Sequence, residues 1–217
     1  MKRKILVFLI LFLAVLFAFS ATAFADYYTG WNTLRYGMSG TEVKNLQNDL
    51  KALNVFGANP TGYFGSLTKQ AVVKYQAVKG LTQDGIVGHK TARAIKTDCV
   101  IKTAKSLQGV PYVWGGSTPS GFDCSGFTQY VMTHNRITIQ RTAALQYQQG
   151  TWVDKSKLIP GDFVFFSTYA AGASHVGIYI GGGQFIHASS GAGKVIISLL
   201  SNTYYTQHYL GAKRMLP

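Results

Sequence analysis

The chain has 217 residues, with 21 Lys and Arg against 8 Asp and Glu, for a formal charge of +13. That balance favours polyanionic partners over acidic-surface self-association, and the length allows one good core or two small ones. Two cysteines, with no C-x-x-C pair and no H-E-x-x-H, leave no zinc motif and imply no metal or organic cofactor.

Residues 1–25 read as a secretory signal peptide. "MKRK" is a positive n-region, "ILVFLILFLAVLFAF" is an apolar run of 15, and Ala23 and Ala25 are the small residues of a cleavage site. The run falls short of the roughly 20 residues of a spanning helix, so no stable membrane insertion is expected after cleavage. The mature chain would carry 18 basic and 8 acidic residues, a charge of +10. Export makes anionic wall polymers or lipid headgroups better partners for this charge than nucleic acid.

Residues 37–97 read as helices between glycine turns. Val43, Leu46, Leu50 and Leu53 fall at helical spacing, with Ser39 and Glu42 as a capping box at the start and Gly57 past the end. A second helix follows Ser66, with Leu67, Ala71 and Val78 on one face and Gly80 as its stop. "LTQDGIVG" is a turn and "HKTARAI" a short third helix. The first two helices share an apolar-then-glycine rhythm, a weak internal echo. The segment holds no obvious reactive group; His89 is its only histidine. Its text nevertheless resembles the peptidoglycan-binding three-helix module of wall enzymes, through "LQNDLKALN", "GYFGSLTKQAVVKYQ" and "LTQDGIVGHKT". The resemblance implies wall anchoring.

From residue 98 the pattern changes. Val100, Ala104 and Leu107 suggest one helix. The glycine-rich, aromatic stretch "GVPYVWGGSTPSGFDCSGF" leads into a second, with Phe127, Tyr130 and Val131 on one side, and "RTAALQYQQG" is a third. After "LIPGD" the period becomes that of strands: "DFVFF", "HVGIYI", "QFIHAS", "KVIISLL" and a fifth in "YYTQHYLGAKRM". Helices first and antiparallel strands later make an α+β domain over 98–217.

Cys124 stands between Asp123 and Ser125, at or beside a helix N-terminus, where unpaired N–H groups and the helix dipole favour a thiolate. Its polar, glycine-flanked surroundings argue for a nucleophile and against a disulfide to Cys99, which reads as a structural thiol. "GGG" at 181–183 makes a hairpin that pairs Ile180 with Gln184, so that Gly177 faces His187 and His175 faces Ser189. His175 and His187 then share one face, and Val176, Ile178, Ile180, Ile186 and Ala188 share the other. A nucleophile, a base and an orienter follow: Cys124, His175 and His187. His134 and His208 have no such placement, and "GAGK" at 191–194 lacks the spacing of a phosphate loop.

Residues 98–217 resemble the NlpC family of cell-wall cysteine peptidases, a circularly rearranged relative of the papain-like fold. The matching text is "GVPYVWGG", "FDCSGF", "RTAALQ", "PGDFVFF" and "HVGIYIGGGQFIHAS". The resemblance implies Cys124 as nucleophile, His175 as base and His187 as the third polar residue. It also implies substrate contacts at Tyr112, Asp123, Ser125 and Arg141, with Trp114 as a wall of the cleft. The expected protein is a secreted, wall-associated monomer that cleaves stem peptides at the γ-D-glutamyl–diamino acid bond. Competing readings are an N-acetylmuramoyl-L-alanine amidase or cross-bridge peptidase, a non-catalytic wall-binding protein, and a lipid-directed acyltransferase.

Overall fold

A computed structural model describes residues 32–216. The signal peptide expected at 1–25 lies outside the described residues. Three helices come first: α1 (Thr41–Ala52), α2 (Ser66–Val78) and α3 (His89–Ser106). Their core holds Val43, Leu46, Leu50, Phe56, Phe64, Val72, Tyr75, Val87 and Ile95. Helix α1 starts after Gly40 and has no side-chain cap. The expected capping box fails because Ser39 is drawn into a backbone bridge with Tyr63. Helix α2 is also rotated from expectation: Leu67 and Val78 are exposed, while Thr68, Ala71, Val72, Tyr75 and Gln76 are buried.

Helix α3 is one continuous helix of 18 residues. The sequence suggested a short helix at "HKTARAI" and a separate one beyond 98. The structure joins them because the same helix serves two cores. Ile95 and Cys99 pack with the N-terminal helices, whereas Val100 and Ala104 pack with the C-terminal sheet.

The C-terminal part continues with a two-stranded ribbon, β1 (Ser117–Thr118) and β2 (Gly121–Phe122), then α4 (Cys124–His134) and α5 (Ala143–Tyr147). Six antiparallel strands follow in the order β3-β8-β4-β5-β6-β7. They are β3 (Thr151–Val153), β4 (Phe163–Phe166), β5 (His175–Gly181), β6 (Gln184–Ser189), β7 (Lys194–Leu199) and β8 (Tyr209–Arg214). The segment expected as a fifth strand is divided: Thr203–His208 forms α6, and only the remainder is β8. Strand β3 and the β1–β2 ribbon, too short for a periodic signal, were not foreseen.

Alternation gives the sheet two apolar faces. Phe163, Phe165, Val176, Ile178, Ile186 and Ala188 meet Phe127 and Val131 of α4 on one side. Val164, Phe166, Phe185 and Ala212 lie on the other, beneath Leu200 and Tyr205. The β5–β6 hairpin pairs Ile178 with Ile186 and Tyr179 with Phe185, the register expected from the glycine turn. A shift then places Gly181, not Ile180, opposite Gln184.

Candidate active site

Asp123 caps α4. Its carboxylate accepts from the Gly126 amide at 2.6 Å, and Cys124 is the first helical residue. The thiol is 5% exposed. Its Sγ lies 3.8 Å from the Ser174 carbonyl, and the Val176 amide favours its thiolate, so groups on both sides of His175 at the start of β5 act on it. Cys124 and Cys99 are both free thiols, so no disulfide joins them.

His175 and His187 come from neighbouring strands of one face. His175 Nε2 lies 2.7 Å from His187 Nδ1, with the rings edge to face at 87°. The close approach needs Gly177, where an added Cβ would meet Phe185 Cδ2 at 2.6 Å and His187 Cβ at 3.0 Å. The histidine face is not open to solvent, as an amphipathic hairpin would suggest. Phe166, Phe185 and Tyr205 pack around the rings.

Burial governs the protonation states. It pushes the Cys124 thiol up to about 11, assisted by the Asp123 carboxylate and opposed by the Val176, Ser125 and Cys124 amides. It pushes His175 down to about 4. His187 lies well below its ordinary value, first through burial and then through His175. The helix N-terminus alone favours a thiolate, but here desolvation outweighs it. Burial thus favours the neutral form of the thiol and of both imidazoles.

The expected substrate residues gather beside the thiol. Arg141 reaches Asp123 Oδ2 at 2.6 Å, Asp123 Oδ1 at 3.0 Å, Ser125 Oγ at 3.0 Å and the Gly115 carbonyl at 2.9 Å. Burial would raise the Asp123 carboxyl, but Arg141, the Gly126 amide and Ser125 hold it below the usual range. Tyr112 is half-buried, its phenol pushed to about 12 by burial and then by Cys124 and Asp123. Trp114 is exposed and meets Tyr169 edge to face at 5.3 Å. His134 is exposed at the end of α4 and stacks on Tyr130, and His208 at the end of α6 faces the Tyr204 carbonyl; neither joins the cluster.

Four participants were missed in the sequence. Tyr169, in the loop before β5, has its phenol raised first by burial and then by the nearby Cys124 and Asp123. Ser198 and Tyr205 touch His187. Fully buried Gln146 accepts from Thr128 at 2.8 Å and donates to the Ser125 carbonyl at 3.0 Å, bracing the start of α4. A polar residue inside the apolar run "VIISLL" was the one available signal, for Ser198.

The sequence profile of the NlpC/P60 family matches residues 109–214, and that of a peptidoglycan binding domain matches residues 39–95. The chain is 50% identical over 115 residues to "Probable peptidoglycan endopeptidase LytE" of Bacillus subtilis, covering 53% of this chain and 33% of that protein. It is 41% identical over 122 residues to "Gamma-D-glutamyl-L-lysine dipeptidyl-peptidase" of Bacillus cereus, covering 55% of this chain and 37% of that protein. The chain thus spans about a third of the length of these curated relatives. A crystal structure of an NlpC/P60 family protein from Bacillus cereus superposes with a TM-score of 0.53 at 41% identity, over 56% of this chain and 40% of that one. With both segments matched in order and the sheet, helix and thiol arranged as described, the chain carries an NlpC/P60 domain with a peptidoglycan-binding domain ahead of it.

Proposed function

We propose that this protein is an exported cell-wall hydrolase that cleaves peptidoglycan stem peptides by a Cys124–His175–His187 mechanism. The observation that carries the reading is the meeting of a helix-capped free thiol with a strand start whose histidine is hydrogen-bonded to a second histidine. His175 takes the thiol proton as Cys124 Sγ bonds to the amide carbon. The C=O π electrons move to the oxygen, and amides at the α4 N-terminus stabilise the oxyanion. His175 then gives its proton to the leaving amine as the C–N bond breaks. Water, deprotonated by the same imidazole, frees the thioester and returns the thiol.

The bond cut is that between γ-D-glutamate and the diamino acid, the linkage named in the Bacillus cereus relative. Tyr112 and the Asp123–Ser125–Arg141 cluster bind the stem peptide beside the thiol. Residues 39–95 hold the enzyme on its polymer and raise the local substrate concentration. The excess of cations lets anionic wall polymers add to this retention, and the signal at 1–25 directs the chain outside as a monomer.

Digestion of purified peptidoglycan by the wild-type protein and by Cys124→Ala, with mass spectrometry of the fragments, tests the reading. New ends at D-glutamate and the diamino acid, absent with Cys124→Ala, support it. Free lactyl ends would replace it with an amidase. Wall binding without cutting by either protein would leave a binding protein.

A further inference from the structure

His187 is fully buried and both of its ring nitrogens are engaged. Nδ1 faces His175 Nε2, so His175 keeps only Nδ1 for the Cys124 proton. A neutral imidazole carries one N–H. For His175 Nδ1 to be bare, its proton must sit on Nε2 and be donated to His187 Nδ1. His187 Nδ1 must then be bare too, and the His187 proton must sit on Nε2. That proton needs an acceptor, since an unmet donor in a buried site carries its full desolvation penalty.

Two hydroxyls stand there. Ser198 Oγ of β7 is 3.0 Å from His187 Nε2, and the Tyr205 hydroxyl of α6 is 3.3 Å from the same atom. β7 pairs Ser198 with Phe185, placing its side chain on the histidine face. Tyr205 is locked over that face by edge contacts to Phe185 at 4.8 Å and His187 at 5.4 Å, and its phenol lies close to the Ser198 and Ser189 hydroxyls. Each hydroxyl can accept from His187 while spending its own proton within the group.

We propose that Ser198 and Tyr205 are positioning residues whose hydroxyls hold the His187 proton on Nε2 and thereby keep His175 Nδ1 open as the base for Cys124. Remove both, and His187 moves its proton to Nδ1. That N–H would oppose the His175 Nε2–H and drive the His175 proton onto Nδ1, closing the base. The inference rests on the Cys–His–His reading, but its principal readout needs no substrate.

Nitrogen-15 spectra of the imidazole rings in the full mature protein report each tautomer. Both rings should be Nε2-protonated in the wild type. In Ser198→Ala/Tyr205→Phe, His187 and His175 should shift to Nδ1–H, and alkylation of Cys124 by iodoacetamide at neutral pH should slow about tenfold. Ser198→Thr, which keeps a hydroxyl, should hold the wild-type tautomers where Ser198→Ala loosens them. A wild type with His187 protonated on Nδ1 overturns the inference. So does a double variant that loses thermal stability but keeps both tautomers and its alkylation rate. If the tautomers move as stated but the wild type cuts no peptidoglycan, the positioning stands and the hydrolase reading fails.

Discussion

Asp123 acts on Cys124 in two opposed ways. As the cap it fixes the helix start that aims amides at the sulfur. As a carboxylate it raises the thiol, second only to burial. Asp123→Asn keeps a competent cap but removes that charge and frees Arg141. The Cys124 thiol should therefore fall from about 11, and iodoacetamide should alkylate it faster at neutral pH than the wild type. An unchanged or slower rate would show that Asp123 does not set the thiol. In the wild type, the rate should climb toward pH 11 without the neutral plateau of a resting thiolate–imidazolium pair. Buried neutral His175 has a stability consequence as well. Its folded value of about 4 lies below the ordinary 6.5, so the unfolded chain binds more protons between the two. The stabilisation is complete above pH 6.5 and is lost as pH falls toward 4, about 3 kcal/mol in all. Urea titrations across that window should show the loss, and His175→Gln should lessen it without abolishing it, because His187 is lowered by the same burial. Cys124, His175 and His187 were legible because a glycine-framed cysteine and a period-two hairpin are local patterns. Tyr205 was not, because its segment read as strand, and only α6 carries that ring over the histidines.

Two glutamines do the same work in the N-terminal helices. Gln47 of α1 accepts from the Gly62 amide and donates to the Tyr63 carbonyl and Thr68 Oγ1, each at 2.9 Å. Gln76 of α2 accepts from the Gly85 amide at 2.9 Å and donates to the Ile86 carbonyl at 2.9 Å and Thr91 Oγ1 at 3.2 Å. In both, a buried amide closes a turn onto the next helix, so "GYFGSLT" and "GIVGHKT" are copies of one unit. The sequence showed only an apolar-then-glycine rhythm, because the spacing from glutamine to glycine is 15 residues in one copy and 9 in the other. The same bonds explain the rotated α2: Gln76 and Thr68 must face inward, which turns Leu67 and Val78 out. Gln47→Ala and Gln76→Ala should each cost about 2–3 kcal/mol by stranding a buried turn amide and its partners. Gln70→Ala, on the exposed face of α2, should cost less than about 0.5 kcal/mol. Urea unfolding of the three variants checks this, and equal losses at all three positions would remove the glutamines from the account.

Across the whole molecule, α3 makes the two parts interdependent. Beyond its two cores, Lys96 on this helix bonds Asp49 of α1 at 2.7 Å, and Arg136 just past α4 bonds the other Asp49 oxygen. Asn135 bonds Thr103 at 3.1 Å, and Cys99 faces the Asp49 carbonyl at 3.8 Å, its thiol raised to about 12 first by burial. Cys99 is thus a packed, unreactive group at the joint. Composition changes near residue 98, but a helix can satisfy two cores on different faces, and periodicity over seven residues cannot reveal that. The consequence concerns where the chain can be cut. A fragment of residues 109–217, starting where the family match begins, lacks fully buried Val100 and Ala104 and half-buried Leu107. Losing a Val and a Leu from a core removes roughly 1.5–3 kcal/mol for each side chain fully buried, against a total stability of about 5–15 kcal/mol. That fragment should melt well below a fragment of residues 89–217, which keeps the helix, and its amides in α4 should exchange faster with deuterium. Equal melting of the two fragments would mean that α3 merely touches the sheet, and that the peptidase part needs nothing from the helix before it.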